Sequence, residues 1–218
     1  MMRIIDLSHT IEPGMPCYPG TPEPIFNPLS AIEKDGYSEQ LFTLSSHTGT
    51  HVDLPSHILS EGSSLDDLNL DRFTGNGIAI DVSSKAGKLI QKEAFYGFEP
   101  LIGTCDFLLL YSGWSRYWGS PDYYCGYPVL APDAALWLTG FNLKGIGVDM
   151  ISVDAPDSID FSIHRRLLQS GILLIENLSD LFPLLNSPFN FFCFPLKIVH
   201  AEAAPVRAVA MVSDERKA

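Results

Sequence analysis

The stretch that most constrains this chain is Ser45–Leu59, SSHTGTHVDLPSHIL, which holds three of its six histidines and one aspartate. His47, His51 and Asp53 are separated by even numbers of residues, so an extended backbone would point all three side chains to one face. A helix would separate Asp53 from the two histidines, and the β-branched residues between them disfavour a helix. The pattern predicts a strand with three polar side chains on one face.

Two imidazoles and one carboxylate on the same face are suited to a divalent metal such as Zn²⁺ or Mn²⁺. Gly49 falls on that face between the two histidines, where we expect it to leave room for an ion. Pro55 ends the strand, so we expect His57 on the turn that follows. The alternative is a chance cluster on a polar loop, or histidines that only cap backbone groups. The matched spacing of these residues favours the metal site.

Two further ligand candidates lie much later in the chain. His164 is part of Ser162–Gly171, which is typical of a short helix closed by a glycine. Glu176 ends the apolar segment Ile172–Glu176, which is typical of a buried strand. An antiparallel helix and strand would bring the two side chains together, and a carboxylate buried there would need a partner or a metal. Taken alone, each residue could equally be a solvated surface group.

Short elements joined by many Pro and Gly turns fill the rest of the chain. The predicted strands are apolar segments: Arg3–Leu7, Phe42–Leu44, Gly77–Val82, Phe107–Tyr111, Gly145–Val148, Ile172–Glu176 and Ala208–Val212. The predicted helices are Ser64–Leu68, Gln91–Tyr96, Pro132–Thr139 and Ser162–Gln169. Several strands are continuously apolar, as strands covered on both faces are. The pattern predicts one α/β domain over residues 1–218, with a central mixed β-sheet flanked by helices.

Composition excludes some classes of function. The formal net charge of −12 argues against nucleic acid and against anionic membrane surfaces as partners. The N-terminus has no long apolar run and reaches Asp6 early, which does not resemble a signal peptide. The four scattered cysteines contain no CxxC pair and predict free thiols in a reducing compartment. We therefore expect a cytoplasmic protein. The net charge says little about a small-molecule substrate, since the charge of a pocket need not follow the charge of the whole chain.

The segment His47–His57 has the form HxGTHxDxPxH, and it resembles the signature of the cyclase family of metal-dependent hydrolases. That family includes bacterial kynurenine formamidases and isatin hydrolases. Further blocks resemble the family in the same order along the chain: Asp6–His9, Gly14–Gly20, Ser112–Gly119, Gly147–Pro156 and Ala204–Arg207. The resemblance implies the kynurenine formamidase-like fold, a swivelling β/β/α arrangement in which helices wrap a central mixed sheet.

The resemblance also implies a site for one or two divalent ions per subunit, with Zn²⁺ or Mn²⁺ as the metal. His47, His51 and Asp53 would hold the first ion. Asp53 would bridge to a second ion bound by His164, and Glu176 would complete the site. A bound divalent ion lowers the pKa of a water molecule towards neutrality, which provides a hydroxide for hydrolysis.

The remaining implied roles concern catalysis and substrate. His57 would be the proton donor and acceptor rather than an obligatory ligand, and Tyr18 would contact the substrate where kynurenine formamidases are expected to have tryptophan. The implied reaction is hydrolysis of a small amide, with N-formylkynurenine as the leading substrate. The alternatives are a cyclic imide, lactam or lactone, as in isatin hydrolases, and a non-catalytic metal-binding scaffold.

Aromatic residues are dense between Trp114 and Tyr124, where they could line a pocket or a subunit interface. Because members of the resembled family are oligomers, the resemblance implies a homodimer or homotetramer. His9 and His200 have no role assigned from sequence.

Overall fold

A computed structural model describes residues 1–83, 89–185 and 187–213. Its α-helices are α1 (Ile32–Asp35), α2 (Glu99–Ile102), α3 (Pro132–Leu138) and α4 (Ser162–Gln169). Its strands are β1 (Met2–Asp6), β2 (Ile25–Ser30), β3 (Glu39–Thr43), β4 (His51–Asp53), β5 (Thr74–Asp81), β6 (Leu89–Ile90), β7 (Phe107–Tyr111), β8 (Val129–Leu130), β9 (Gly145–Val148), β10 (Leu173–Glu176), β11 (Phe189–Phe192), β12 (Ala203–Pro205) and β13 (Val209–Ser213). No helix in these ranges is long and apolar enough to cross a membrane.

Nine of the strands form one mixed sheet in the order β1-β13-β11-β5-β7-β9-β10-β4-β12. The four central strands run parallel to one another: β5, β7, β9 and β10. The strands on either side pair antiparallel. The predicted central mixed sheet is confirmed, and the strands that carry the motif residues lie near one of its edges.

The two faces of the sheet are covered differently. Along β7, Leu108 and Leu110 face a core built with α3 and α4. Phe107 and Leu109 face a second core on the other side of the sheet. This second core is closed mainly by short 3₁₀ turns and loops, among them Leu70–Phe73 and Phe182–Leu184. Burial on both faces explains why the central strands are continuously apolar.

Two of the four predicted helices are wrong. Ser64–Leu68 contains only the 3₁₀ turn Leu65–Asp67, and Gln91–Tyr96 contains only the 3₁₀ turn Lys92–Phe95. Each turn is followed by a residue with extended backbone, so the helix cannot continue. At Leu65–Asp67 the backbone N–H of Ser64 donates to Asp67 Oδ2 at 2.9 Å, as in a capping box, and this bond closes a single turn.

The hairpin of β2 and β3 stands apart from the main sheet. These two strands pair only with each other, and every residue of β3 is exposed. Phe26 and Phe42 pack edge to face across the hairpin, with ring centroids 5.3 Å apart. Phe42 nevertheless remains 54% exposed. A two-stranded hairpin with exposed apolar side chains has little to stabilise it within a single subunit.

Candidate metal centre

Strand β4 places two of the predicted ligands on one face. His51 and Asp53 are two residues apart on this strand, and both side chains are buried. His51 Nε2 lies 3.3 Å from Asp53 Oδ1. The period of two along an extended backbone accounts for this juxtaposition, as the sequence pattern predicts.

The predicted strand is wrong for the residues that precede β4. Residues 45–48 form a turn, in which the Thr48 N–H donates to the Ser45 carbonyl, and residues 49–50 form a bend. Gly49 has φ +65°, a left-handed conformation that L side chains rarely adopt. A Cβ at Gly49 would also meet Met15 Cε at 3.3 Å. Gly49 is therefore required by the turn and its packing, and not to leave room for an ion. The turn still brings His47 Nδ1 to 3.0 Å from Asp53 Oδ1.

The distal candidates reach the same place from β10 and α4. Glu176 pairs in register with His51, because β10 runs antiparallel to β4. His164 lies on α4, which packs against β10. His164 Nε2 is 3.3 Å from Glu176 Oε1 and 3.6 Å from Asp53 Oδ2. Residues from two distant parts of the chain thus meet around one buried carboxylate.

Each of the three imidazoles around Asp53 has its second nitrogen directed at an acceptor. His51 Nδ1 is 2.8 Å from the Gly49 carbonyl oxygen, and His164 Nδ1 is 2.7 Å from Asp154 Oδ2. His47 Nε2 is 3.6 Å from Glu202 Oε1. Such outer contacts orient an imidazole and leave its other nitrogen free for a metal. They leave His47 Nδ1, His51 Nε2 and His164 Nε2 facing the carboxylates.

Sequence reasoning missed these outer partners. Asp154 lies in the resembled block Gly147–Pro156, but no role follows for it from the block alone. Its carboxylate accepts hydrogen bonds from the backbone N–H groups of Ile163 and His164, so it also caps the first turn of α4. Spacing gives no signal for this role, because Asp154 lies eight residues before Ser162 and Phe161 occupies the N-cap position of α4.

The electrostatics favour positive charge at the centre. Burial alone would lower the pKa of His51, but the carboxylates of Asp53 and Glu176 outweigh it and raise the pKa to about 9. Burial opposes charge on His164 in the same way, yet hydrogen bonds to Asp154, Asp53 and Glu176 raise its pKa well above the usual value. The imidazoles in turn hold the pKa of Asp53 well below its usual range despite complete burial.

The donor atoms fit a divalent ion better than they fit one another. His51 Nε2 and both carboxylate oxygens of Asp53 are buried without a hydrogen bond among the described residues, although their nitrogen–oxygen distances are short. Two groups have ligand atoms that lie within 4.8 Å of one another: His47, Asp53 and His57, and His51, Asp53 and Glu176. Asp53 belongs to both groups. Imidazole and carboxylate donors suit Zn²⁺ or Mn²⁺.

A cavity of about 140 Å³ opens over these residues. It is lined by all seven residues singled out from the sequence, together with Pro16, Thr21, Ile151, Ser152, Phe161 and Asn177. The aromatic residues between Trp114 and Tyr124 do not line it and instead pack against the core beneath α3 and α4. His9 stacks on Trp118 with ring centroids 3.8 Å apart, outside this cavity.

His57 differs from the other histidines of the cavity. It ends the 3₁₀ turn Pro55–His57, and its ring centroid lies 4.4 Å from that of His47. Burial lowers the pKa of His57 to about 4, an effect that the charge of Asp53 only partly offsets. The ring is therefore neutral near pH 7 and able to accept a proton.

Replacing Asp154 with asparagine is expected to lower metal affinity by about 10- to 100-fold. The amide group would donate to His164 Nδ1 instead of accepting from it, which moves the ring proton to the nitrogen that faces Asp53. Competition with a chromophoric chelator measures the affinity. Asp157→Asn, an exposed site in the same loop, is the matched control. An unchanged affinity in Asp154→Asn would show that this contact does not orient a ligand.

The chain is similar to known proteins in sequence and in structure. A protein-family model described as "Putative cyclase" matches residues 5–155. A kynurenine formamidase of Salinibacter ruber is 33% identical over 213 residues, which cover 95% of this chain and 97% of the relative. Two solved structures share the fold. Isatin hydrolase A of Labrenzia aggregata has a TM-score of 0.86 at 26% identity and covers 98% of this chain and 94% of its own. A predicted metal-dependent hydrolase of Bacillus stearothermophilus has a TM-score of 0.81 at 25% identity, with 97% and 98% covered.

Proposed function

Since this chain belongs to the cyclase family, we propose that it is a metal-dependent hydrolase of a small amide, and that it converts N-formylkynurenine and water to kynurenine and formate. The observation that carries the proposal is the buried carboxylate of Asp53, which three imidazoles face and which lines the cavity together with them. The related kynurenine formamidase supports the choice of substrate.

The proposed ligands divide into the two sets that the family resemblance implies, and these sets share Asp53, as the two groups defined by distance do. His47, His51 and Asp53 would hold one ion; Asp53, His164 and Glu176 would hold a second. Zn²⁺ is the proposed metal, with Mn²⁺ as the other candidate for this donor set. A divalent ion in this position makes water a better nucleophile at neutral pH and polarises the carbonyl oxygen of an amide.

His57 is the proposed proton carrier. When water attacks the carbonyl carbon, the neutral His57 ring accepts the released proton. The same ring then delivers the proton to the nitrogen of the breaking C–N bond, so that the amine leaves uncharged. His57 lies at the end of the 3₁₀ turn that begins at Pro55, so it is outside β4. Its ring nevertheless lies beside that of His47.

Tyr18 is the proposed substrate contact. It lies in the Pro-rich loop after β1 and lines the cavity together with Pro16. Its ring offers a π-face to an aryl group, and its hydroxyl adds a hydrogen-bonding group that tryptophan lacks at that point.

A second candidate reaction is hydrolysis of a cyclic imide or lactam such as isatin. The observation that favours it is the close structural similarity to isatin hydrolase A. The same centre would serve both reactions, since each requires attack of water on an amide carbonyl. A structural zinc site usually includes cysteine, and no cysteine lines this cavity, which disfavours a purely structural role for the metal.

Protein loaded with Zn²⁺ or Mn²⁺ and given N-formylkynurenine and isatin in parallel tests these proposals. Formate release from N-formylkynurenine supports the leading reaction, whereas ring opening of isatin alone supports the second. If the protein takes up neither metal, the proposal of a metal-dependent hydrolase is overturned.

The exposed hairpin of β2 and β3 supports a homodimer or homotetramer, because packing against another subunit would cover its apolar side chains. We expect Phe42→Asp to shift the protein to a smaller species, which size-exclusion chromatography with light scattering measures. Leu136→Asp, at an equally exposed leucine of α3, is the matched control. A wild-type monomer, or an unchanged mass for Phe42→Asp, would contradict this role of the hairpin.

The four free cysteines support the proposed cytoplasmic location.

A further inference from the structure

Phe161 has an unusual backbone for a bulky residue. It occupies the N-cap position of α4 with φ 48° and ψ 50°, in the left-handed region. Glycine adopts this region freely, whereas an aromatic residue there is a genuine outlier. Outliers of this kind persist only where the surrounding structure enforces them, and they are concentrated at functional sites.

The contacts around Phe161 enforce this conformation. The Phe161 N–H donates to Ser158 Oγ at 3.2 Å, and the Phe161 carbonyl accepts the first helical hydrogen bond, from the Arg165 N–H, at 2.9 Å. Asp154 caps the following N–H groups of α4. The direction of the Phe161 side chain is therefore set by the start of the helix that carries His164.

The ring of Phe161 points towards the candidate metal centre. It lines the cavity, and it stands edge-on to His164 with ring centroids 6.0 Å apart and planes at 89°. The loop does not bury all of its apolar side chains, because Ile159, two residues before Phe161, is 94% exposed. Phe161 is the residue of the loop that contributes an aromatic surface to the cavity.

The other walls of the cavity are suited to the same kind of group. Pro16, Tyr18 and Ile151 line it together with the polar residues of the candidate centre. Among the described residues that line the cavity, none is a lysine or arginine. An uncharged, flat group could pack against these apolar side chains without burying an unpaired charge.

We infer that Phe161 is a specificity-determining residue, which selects substrates that carry an aryl group on the amide. The inference rests on the proposed function, since it names the substrate class of that site. It also explains why the chain keeps phenylalanine where glycine would fit the backbone more easily: the ring is needed in the cavity.

The test compares the KM values of N-phenylformamide and N-cyclohexylformamide, because aniline and cyclohexylamine differ as leaving groups and kcat therefore differs without any ring contact. The wild type is expected to have a KM about tenfold lower for the phenyl compound, the scale of one aromatic contact. Phe161→Leu should remove this difference in KM, with kcat for each compound nearly unchanged. Phe161→Tyr should retain it. Phe182→Leu, at an exposed phenylalanine outside the cavity, should also retain it.

A binding measurement separates this inference from the proposed reaction. Titration calorimetry with acetophenone and cyclohexyl methyl ketone requires no hydrolysis. Selective acetophenone binding that Phe161→Leu loses supports the inference even if no amide is cleaved, a result that would overturn only the proposed function. Hydrolysis with an aryl preference that Phe161→Leu keeps overturns the inference and leaves the proposed function standing. A wild type with no aryl preference in either assay also overturns the inference.

Discussion

Asp53→Asn will lose most of the bound metal and at least about 10³-fold of kcat/KM, because one buried carboxylate serves both ligand groups. The substitution keeps the shape of the side chain but removes the negative charge that faces His47, His51 and His164. An amide oxygen is a weaker ligand for a divalent ion than a carboxylate. Elemental analysis of tag-free protein, purified without chelator, is expected to find about one to two divalent ions per subunit in the wild type.

The control for this prediction is Asp133→Asn, in the exposed first turn of α3. It should bind metal as the wild type does. Circular dichroism of both variants distinguishes loss of a ligand from loss of the fold, since replacing one member of a buried charged cluster is itself destabilising. Full metal content in folded Asp53→Asn would refute the assignment of Asp53 as the shared ligand.

His57→Gln is expected to lower kcat by about 10²- to 10⁴-fold while the bound metal remains. Glutamine keeps a polar side chain of similar length but cannot accept and return a proton at neutral pH. Measuring kcat and metal content on the same preparation tests both parts of the prediction. His200→Gln, at a histidine whose side chain is 85% exposed, is the matched control.

The metal content of His57→Gln also decides between two roles for this residue. A ring nitrogen of His57 lies close enough to a ring nitrogen of His47 and a carboxylate oxygen of Asp53 for His57 to act as a third ligand. Loss of metal together with activity would assign His57 to the ligand set and remove it as the proton carrier. Retained metal with full activity would exclude both roles.

The convergence of His51 and Asp53 could be predicted from spacing because a strand repeats every two residues. The position of His47 could not be predicted in the same way. Its side chain reaches Asp53 through the turn that precedes β4, where Gly49 has a left-handed backbone and a Cβ would meet Ile11 and Met15. The predicted proximity of His47 and Asp53 is present, but His47 lies on a turn and not on the predicted strand.

The outer contacts of the site were beyond sequence reasoning because they join separate elements. Asn177 shows why. Its side-chain amide donates to the Gly49 carbonyl at 2.9 Å, and its side-chain oxygen accepts from the Tyr123 hydroxyl at 2.7 Å. The Gly49 carbonyl also contacts His51 Nδ1. No spacing rule relates these residues, so their alignment follows only from the pairing of β10 with β4.

The fold was predictable where apolar strands are long and flanked by turns. Phe107–Tyr111 and Gly145–Val148 have the predicted bounds, since burial on both faces produces an unbroken apolar run. The short strands β11 and β12 were missed because three or four residues carry too little pattern. β2 contains Pro28, which argues against a strand unless it lies at an edge.

The order of the strands in the sheet has a consequence for biosynthesis. β4 lies between β10 and β12, and β1 pairs with β13. Strands near the N-terminus are therefore synthesised long before the strands with which they pair. During translation, His51 and Asp53 emerge from the ribosome long before β10 and β12 can cover them. Ion capture at the proposed centre would therefore come late in the folding of the nascent chain, because the proposed ligands of α4 and β10 meet those of β4 only as the sheet closes.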